Sequence, residues 1–139
     1  MSRPLIMSFR EDAADMCLDG RKTMTRRIKD PGMFLTTSGL LLDESDRVIW
    51  RFRDTITIKR SRTGRGVGRV RCTGLRVEHV QDITEDDARR EGTSGRRAFE
   101  TVWRDLYPSG WKSWDANPLV VVVEFEPMEV QMGRGESDA

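Results

Sequence analysis

The segment LDGRKTMTRR, residues 18–27, compresses the end of a helix, a stop and the start of a strand into one short stretch. Upstream of it, Ser8 and Glu11 stand at capping-box spacing, and Phe9, Ala13, Met16 and Cys17 recur at helical intervals. A helix over roughly 9–19 is predicted, and Gly20 stops it because glycine takes up the left-handed conformation without steric cost. Immediately after this stop, Lys22, Thr23, Thr25, Arg26 and Arg27 crowd into a turn and the strand leaving it. Such a cluster is either a solvated basic loop or a place that grips an anion and arms a hydroxyl.

Working outward, residues 30–46 are rich in Pro, Gly and Ser and read as a loop with one short strand. Val48, Trp50, Phe52, Ile56 and Ile58 share one parity, the alternation of a half-buried strand, with Arg47, Arg51, Arg53 and Lys59 on its other face. SRTGRGVG, residues 61–68, is a flexible turn. VRCTGLRVEHV, residues 70–80, alternates again but slips phase at Gly74, as at a bulge or a barrel corner. Thr84, with Asp87 three residues on and Gly92 beyond, brackets a second helix. Ser94 is placed to cap a third, whose stripe is Phe99, Val102, Trp103 and Leu106 and which Pro108 ends. Leu119–Phe125 is apolar and β-branched, a buried strand. Trp50 and Trp103 read as core. This order predicts an α+β fold, a small curved sheet or barrel with helices at its rim. One domain is expected over residues 1–129, with a polar, disordered tail over 130–139.

The bulk numbers narrow the function. The chain has 139 residues, 37% hydrophobic and 34% charged. That balance is globular rather than disordered. No apolar run approaches the ~20 residues of a membrane helix, and the N-terminal residues lack the hydrophobic stretch of a signal peptide. Two cysteines, Cys17 and Cys72, give no disulfide framework, and with a single histidine they give no ordinary zinc site. A cytoplasmic protein without metal or cofactor is expected, as a monomer or small homo-oligomer. The net charge is only +1, yet ten Lys/Arg face one acid between Arg47 and Arg76, and eight acids face five bases between Glu78 and Asp105. A segregated basic face attracts phosphates. Arg51, Arg53, Lys59, Arg60, Arg62 and Arg65 are therefore candidate contacts to RNA or DNA, against the plainer reading of a solvated face.

In the opening segment, Lys22 and Thr25 carry the chemistry. A threonine hydroxyl is a weak nucleophile until a base takes its proton. A lysine serves as that base when neighbouring cations such as Arg21 and Arg26 disfavour its charged form. On a regular strand, residues three apart point to opposite faces, so the pair converges only if Lys22 still lies in the turn. Cys17 reads as core rather than nucleophile. Trp114, Asp115 and Asn117 form a second cluster, in which an indole beside amide and carboxylate groups suits stacking and hydrogen bonding to a base. The plainer alternative has Asp115 and Asn117 capping a turn while Trp114 plugs the barrel.

LDGRKTMTRR resembles the opening signature of the ASCH family, a branch of the PUA-like superfamily. TEDDARREG, residues 84–92, is similar to the short acidic helix that comes after the central strands in that family. WDANPLVVVVEFE, residues 114–126, resembles the closing loop and strand of its phage and prophage members. The likeness spans most of residues 5–127, in order. It implies a PUA-like small β-barrel and, through the bacterial N4-acetylcytidine amidohydrolases, a Thr–Lys–Glu site that needs no metal. The family lysine and threonine fall on Lys22 and Thr25, and the family acid falls on Glu91. By that resemblance Thr25 attacks the acyl carbonyl, Lys22 exchanges the proton, and Glu91 positions base, water or lysine. Arg21 and Arg26, with Trp114, Asp115 and Asn117, would contact substrate. The chain departs from the family at Ser45-Asp46, at IWRFRD over 49–54, and in the arginine-rich 59–69. The expectation is a nucleoside- or nucleic-acid-directed amidohydrolase. Its rivals are a non-catalytic binding module for RNA, DNA or a modified base, and a metal-independent ribonuclease.

Overall fold

Four consecutive valines, 120–123, are all fully buried, because the strand that carries them is covered on both faces. This strand, β8 (Leu119–Pro127), sends Val121, Val123 and Phe125 into one core and Val120 and Val122 into another. A strand buried on both sides reads as a continuous apolar run rather than an alternation. In the computed structural model, which describes residues 4–128, β8 is one of five strands in the main sheet. The sheet also holds β1 (Ile6–Ser8), β2 (Met24–Ile28), β6 (Thr55–Lys59) and β7 (Gly66–His79), in the order β1-β6-β7-β8-β2. The β1–β6 pair is parallel and the other pairs are antiparallel. The sheet curls into a half-barrel whose edge strands are β1 and β2.

The long strand β7 makes the curl. Its first half pairs with β6 and its second half with β8, and the register shifts between Cys72 and Gly74, where the sequence phase slips. A second sheet of three short strands, β3 (Phe34–Leu35), β4 (Leu40–Leu42) and β5 (Val48–Arg51), delivers Leu41 and Trp50 to the first core. The Trp50 indole N–H donates to the Ile6 carbonyl at 3.0 Å. Two features here differ from the sequence expectation. Residues 30–46 contain two strands, not one. The parity running from Val48 to Ile58 belongs to two strands in different sheets, because the chain turns at Arg53, whose φ is 73°. Phe52 lies in that turn and is 38% exposed, and the arginines opposite do not form one strand face.

Among the described residues, three α-helices cover the half-barrel: α1 (Glu11–Asp19), α2 (Glu85–Arg90) and α3 (Arg96–Leu106). Helix α1 packs on β6, β7 and β8 over the first core, while α2 and α3 close the second core around Phe99, Trp103 and Trp114. Ser8 does not cap α1: it is paired in β1 with Lys59, and the helix begins after an extended Arg10 with no side-chain cap. Gly20 ends α1 at φ 88°. Thr84 caps α2, accepting from the Asp87 amide at 3.1 Å. For α3 the cap arrives from another element: Glu85 of α2 accepts from the Arg96 amide at 3.0 Å, and Gly95 rather than Ser94 precedes the helix. The tail over 130–139 lies outside the described residues.

Gly92 stands just beyond α2 at φ 95°, and a Cβ there would meet the Met16 methyl at 2.7 Å. An L-residue in this conformation costs about 1–2 kcal/mol. Gly92→Ala is expected to lower the unfolding free energy by that amount in urea titration. An unchanged midpoint would mean that this turn relaxes freely.

Candidate active site

The turn after Gly20 settles the direction of Lys22. Strand β2 begins only at Met24, so Lys22 lies outside it, in a bend held by a bond from its amide to the Met16 carbonyl at 3.0 Å. Within β2, Thr25 and Arg27 point to one face, Met24, Arg26 and Ile28 to the other. Lys22 and Thr25 line the same cavity, of about 510 Å³, between α1 and α3 with β2 as its floor. Glu91, at the C-cap of α2, closes one wall. Phe9, Trp103, Leu106 and Tyr107 supply apolar surface, and Arg27 completes the polar side. The volume lies within the 300–1,000 Å³ usual for small-molecule sites.

Lys22 and Glu91 form a buried pair, at 7% exposure each. The Lys22 ammonium donates to the Glu91 carbonyl at 2.7 Å and to its Oε1 at 3.2 Å. Thr25 is 5% exposed, and its hydroxyl makes no hydrogen bond among the described residues. Two of the three Lys22 N–H groups are thus committed, and the Thr25 hydroxyl remains uncommitted in the same cavity.

The crowding of cations expected around Lys22 does not arise, because each flanking guanidinium has its own carboxylates. Arg21 leaves the cavity, is 63% exposed at its side chain, and pairs with Asp19 at 2.7 Å. Arg26 lies under the cavity with a fully buried side chain. It donates to Glu91 at 3.0 Å, to Glu78 at 2.6 Å and to Asp87 at 3.2 Å. Arg76 then joins Glu78, Asp87 and Glu124, and Arg90 joins Glu124 and the Thr23 hydroxyl. Lys22, Arg26, Arg76 and Arg90 balance Glu78, Asp87, Glu91 and Glu124 in one network linking β2, β7, β8 and α2. Arg26 is therefore not free to take a ligand oxygen through its terminal nitrogens; it holds Glu91. Its Nε is buried and unpaired.

Burial alone would raise the Glu78 carboxyl, but donors from Arg26 and Arg76 hold it below its ordinary 4.5. A depressed folded-state value means that its contribution is full above the unfolded value and is lost as pH falls through the folded one. Glu78→Gln is expected to make the stability curve flatter below pH 4.5. Denaturant titrations at stepwise lower pH test this, and an unaltered slope in the variant would remove Glu78 from the acid response.

Trp114, Asp115 and Asn117 do not reach the cavity. Trp114 is 5% exposed, packs 6.4 Å from the Phe99 ring, and has the Arg96 guanidinium 5.4 Å above it. Asp115 is an exposed partner of Arg104 at 2.9 Å. Asn117 adopts φ 51° and accepts from the Gln81 amide at 3.0 Å. Trp114 plugs the second core, as in the plainer of the two sequence readings, but Asp115 faces Arg104 and Asn117 accepts from the Gln81 amide rather than the two capping the turn. Cys17 is fully buried, and desolvation pushes its thiol up to about 12, which removes thiolate chemistry. Among the described residues no group of three His, Cys, Asp or Glu side chains could hold a metal ion, and no helix is long and apolar enough to cross a membrane.

The arginine-rich surface is less uniformly basic than its sequence. Arg51 pairs with Asp54 at 3.0 Å, Arg60 with Asp15 at 2.8 Å, and Lys59 donates to the Arg62 carbonyl. Arg53 lies 5.2 Å from the Phe52 ring beside a shallow depression shared with Arg71. Arg62 and Arg65 are exposed, without a carboxylate partner among the described residues. Sequence reasoning missed Phe9, Tyr107 and above all Arg27 as lining residues. The signal for Arg27 was present, since it stands two residues from Thr25 on the same strand face.

No family model matches the chain, and no curated protein matches it in sequence. Solved structures match in shape. The ASCH domain from Lactobacillus crispatus superposes with a TM-score of 0.62 at 12% identity, covering 88% of this chain and 79% of that one. A protein from Enterococcus faecalis, described under family-model DUF984, gives 0.59 at 14% identity over 91% of this chain and 80% of that one. An ASCH protein from Zymomonas mobilis gives 0.56 at 15% identity over 87% and 65%. Identities this low carry architecture, not chemistry. The chain has the fold of the ASCH domain, a PUA-like α+β half-barrel with helices at its rim.

Proposed function

We propose that the protein acts on nucleosides or nucleic acids as an amidohydrolase, removing the acyl group from an N4-acetylcytidine-like base. The observation that supports this reading is the shared cavity: an uncommitted Thr25 hydroxyl, the Lys22–Glu91 pair and an apolar wall of Phe9, Trp103, Leu106 and Tyr107. Glu91 takes a proton from the Lys22 ammonium, leaving a free amine that accepts the Thr25 proton. Thr25 Oγ1 then bonds to the acyl carbon. The bond from that carbon to the exocyclic nitrogen breaks as Lys22 returns a proton to the departing amine. Lys22 then takes a proton from water, whose oxygen bonds to the acyl carbon. The bond to Thr25 Oγ1 breaks as Lys22 passes that proton to the threonine oxygen, Glu91 returns its own proton to Lys22, and the acid released ionises to a carboxylate. Incubation with N4-acetylcytidine tests the reading by chromatography of cytidine and acetate. No product at high enzyme concentration would reject this substrate class.

A polymer ligand is favoured by the exposed Arg62 and Arg65, which have no carboxylate partner among the described residues, and by the Arg53–Arg71 depression. About three phosphate contacts there would give a slope of about −2 to −3 in log K against log salt. Fluorescence anisotropy with a labelled single strand is expected to show this. A flat salt response would return these residues to a solvated surface.

A further inference from the structure

Of the buried and half-buried cations that line this cavity, Arg27 is the one whose charge the fold leaves without a carboxylate among the described residues; Arg10, which also lines it, is exposed to solvent. Lys22 has Glu91, Arg21 has Asp19, and Arg26 has three acids. The only hydrogen bond of the Arg27 guanidinium within the described residues is from Nη2 to the Ser8 carbonyl at 2.9 Å, and its carbon lies 4.7 Å from the Phe9 ring. Both contacts fix its plane and neither neutralises it. The residue is part-buried and lines the cavity. Both cations of the site stand against Phe9, since the Lys22 ammonium is 5.8 Å from the same ring. Thr25 lies between them in sequence and lines the same cavity. Desolvation pushes the Arg27 guanidinium below its ordinary value, with Glu91 acting against that as a charge at a distance rather than a partner.

We propose that Arg27 receives an oxygen-borne negative charge from the ligand of this cavity. A desolvated cation held in a fixed plane costs the fold stability and is compensated only when an anion arrives. A guanidinium also presents its remaining N–H groups as a fork that suits paired oxygens. The charge has two sources of the same chemistry. One is a phosphate already on the ligand, which would make the ligand a nucleotide or a strand end. The other is the oxyanion that forms when Thr25 attacks a carbonyl, and only this source rests on the amidohydrolase reading.

Calorimetric binding of cytidine and of cytidine 5′-monophosphate to the wild type and to Arg27→Gln tests the first source without any turnover. Turnover of N4-acetylcytidine by the same two proteins tests the second. If the charge is a phosphate, the nucleotide binds wild type at least ~10-fold tighter than the nucleoside, and Arg27→Gln erases the difference. If it is the oxyanion, the two ligands bind alike, and Arg27→Gln lowers kcat by ~100-fold or more with KM little changed, the size of effect seen when an oxyanion donor is removed. Either result supports the assignment. Arg27→Lys, which keeps a cation, should retain part of whichever effect is seen and serves if the glutamine variant does not fold. A nucleotide preference without any hydrolysis would sink the amidohydrolase reading and keep Arg27. No nucleotide preference, together with absent turnover or with a kcat unmoved by Arg27→Gln, overturns the assignment.

Discussion

Arg26→Met is expected to lower the unfolding free energy by about 3–5 kcal/mol, the usual cost of removing one partner from a buried charge network. The arginine side chain is fully buried and answers three carboxylates. Arg76 still serves Glu78 and Asp87 once it is gone. Glu91 is 5% exposed at its side chain and keeps only Lys22, so its charge is the one left least compensated. For a chain of 139 residues the melting temperature should fall by roughly 10–20 °C. Arg26→Lys should fall between, because an ammonium cannot fork across oxygens from different elements. Adding Glu91→Gln to Arg26→Met should cost less than the sum of the two single changes, since the second removes the charge that the first strands. Additive losses, or a loss below about 1 kcal/mol for Arg26→Met, would mean that the network stabilises nothing and that Glu91 is placed by the backbone of α2 alone.

The same arginine shows where sequence reading stops. Its acids lie 52, 61 and 65 residues downstream, and nothing local distinguishes a cation so paired from one that waits for a ligand. Hence Arg21 and Arg26 looked like substrate contacts while Arg27, two residues beyond Thr25, went unassigned. Local chemistry was legible. Gly20 and Gly92 stop helices at positive φ, the Thr84 cap lies where its spacing puts it, and the phase slip at Gly74 is a real change of register. Whatever depended on distant partners was not. The parity from Val48 to Ile58 hid a turn between two sheets. The caps of α1 and α3 failed as predicted, since Ser8 is held in a strand and the α3 amide is met by Glu85. Trp114, Asp115 and Asn117 are near neighbours in sequence and diverge in space: Trp114 packs in the second core, Asp115 faces Arg104 and Asn117 accepts from the Gln81 amide.

Thr25→Ala is expected to reduce hydrolysis of N4-acetylcytidine by at least ~10³-fold while leaving the fold intact, if the acyl group passes through the threonine. The two effects separate because the hydroxyl makes no hydrogen bond among the described residues. Its removal strands no donor or acceptor, so the stability change should stay within about 1 kcal/mol. The loss of rate has no local remedy. Cys17 is sealed in the core as a thiol, and the Thr23 hydroxyl is engaged by Arg90 at 3.1 Å. Thr25→Ser keeps the oxygen but loses the methyl that restricts its rotamer, and should retain part of the rate. Lys22→Arg keeps the charge beside Glu91 yet cannot accept a proton, so it should be nearly as inactive as Lys22→Ala. A site that only binds gives the opposite ranking: Thr25→Ala and Lys22→Arg mild, with affinity following charge. Turnover and melting temperature measured together on these variants decide between the two, and a Thr25→Ala enzyme within threefold of wild type would end the covalent route.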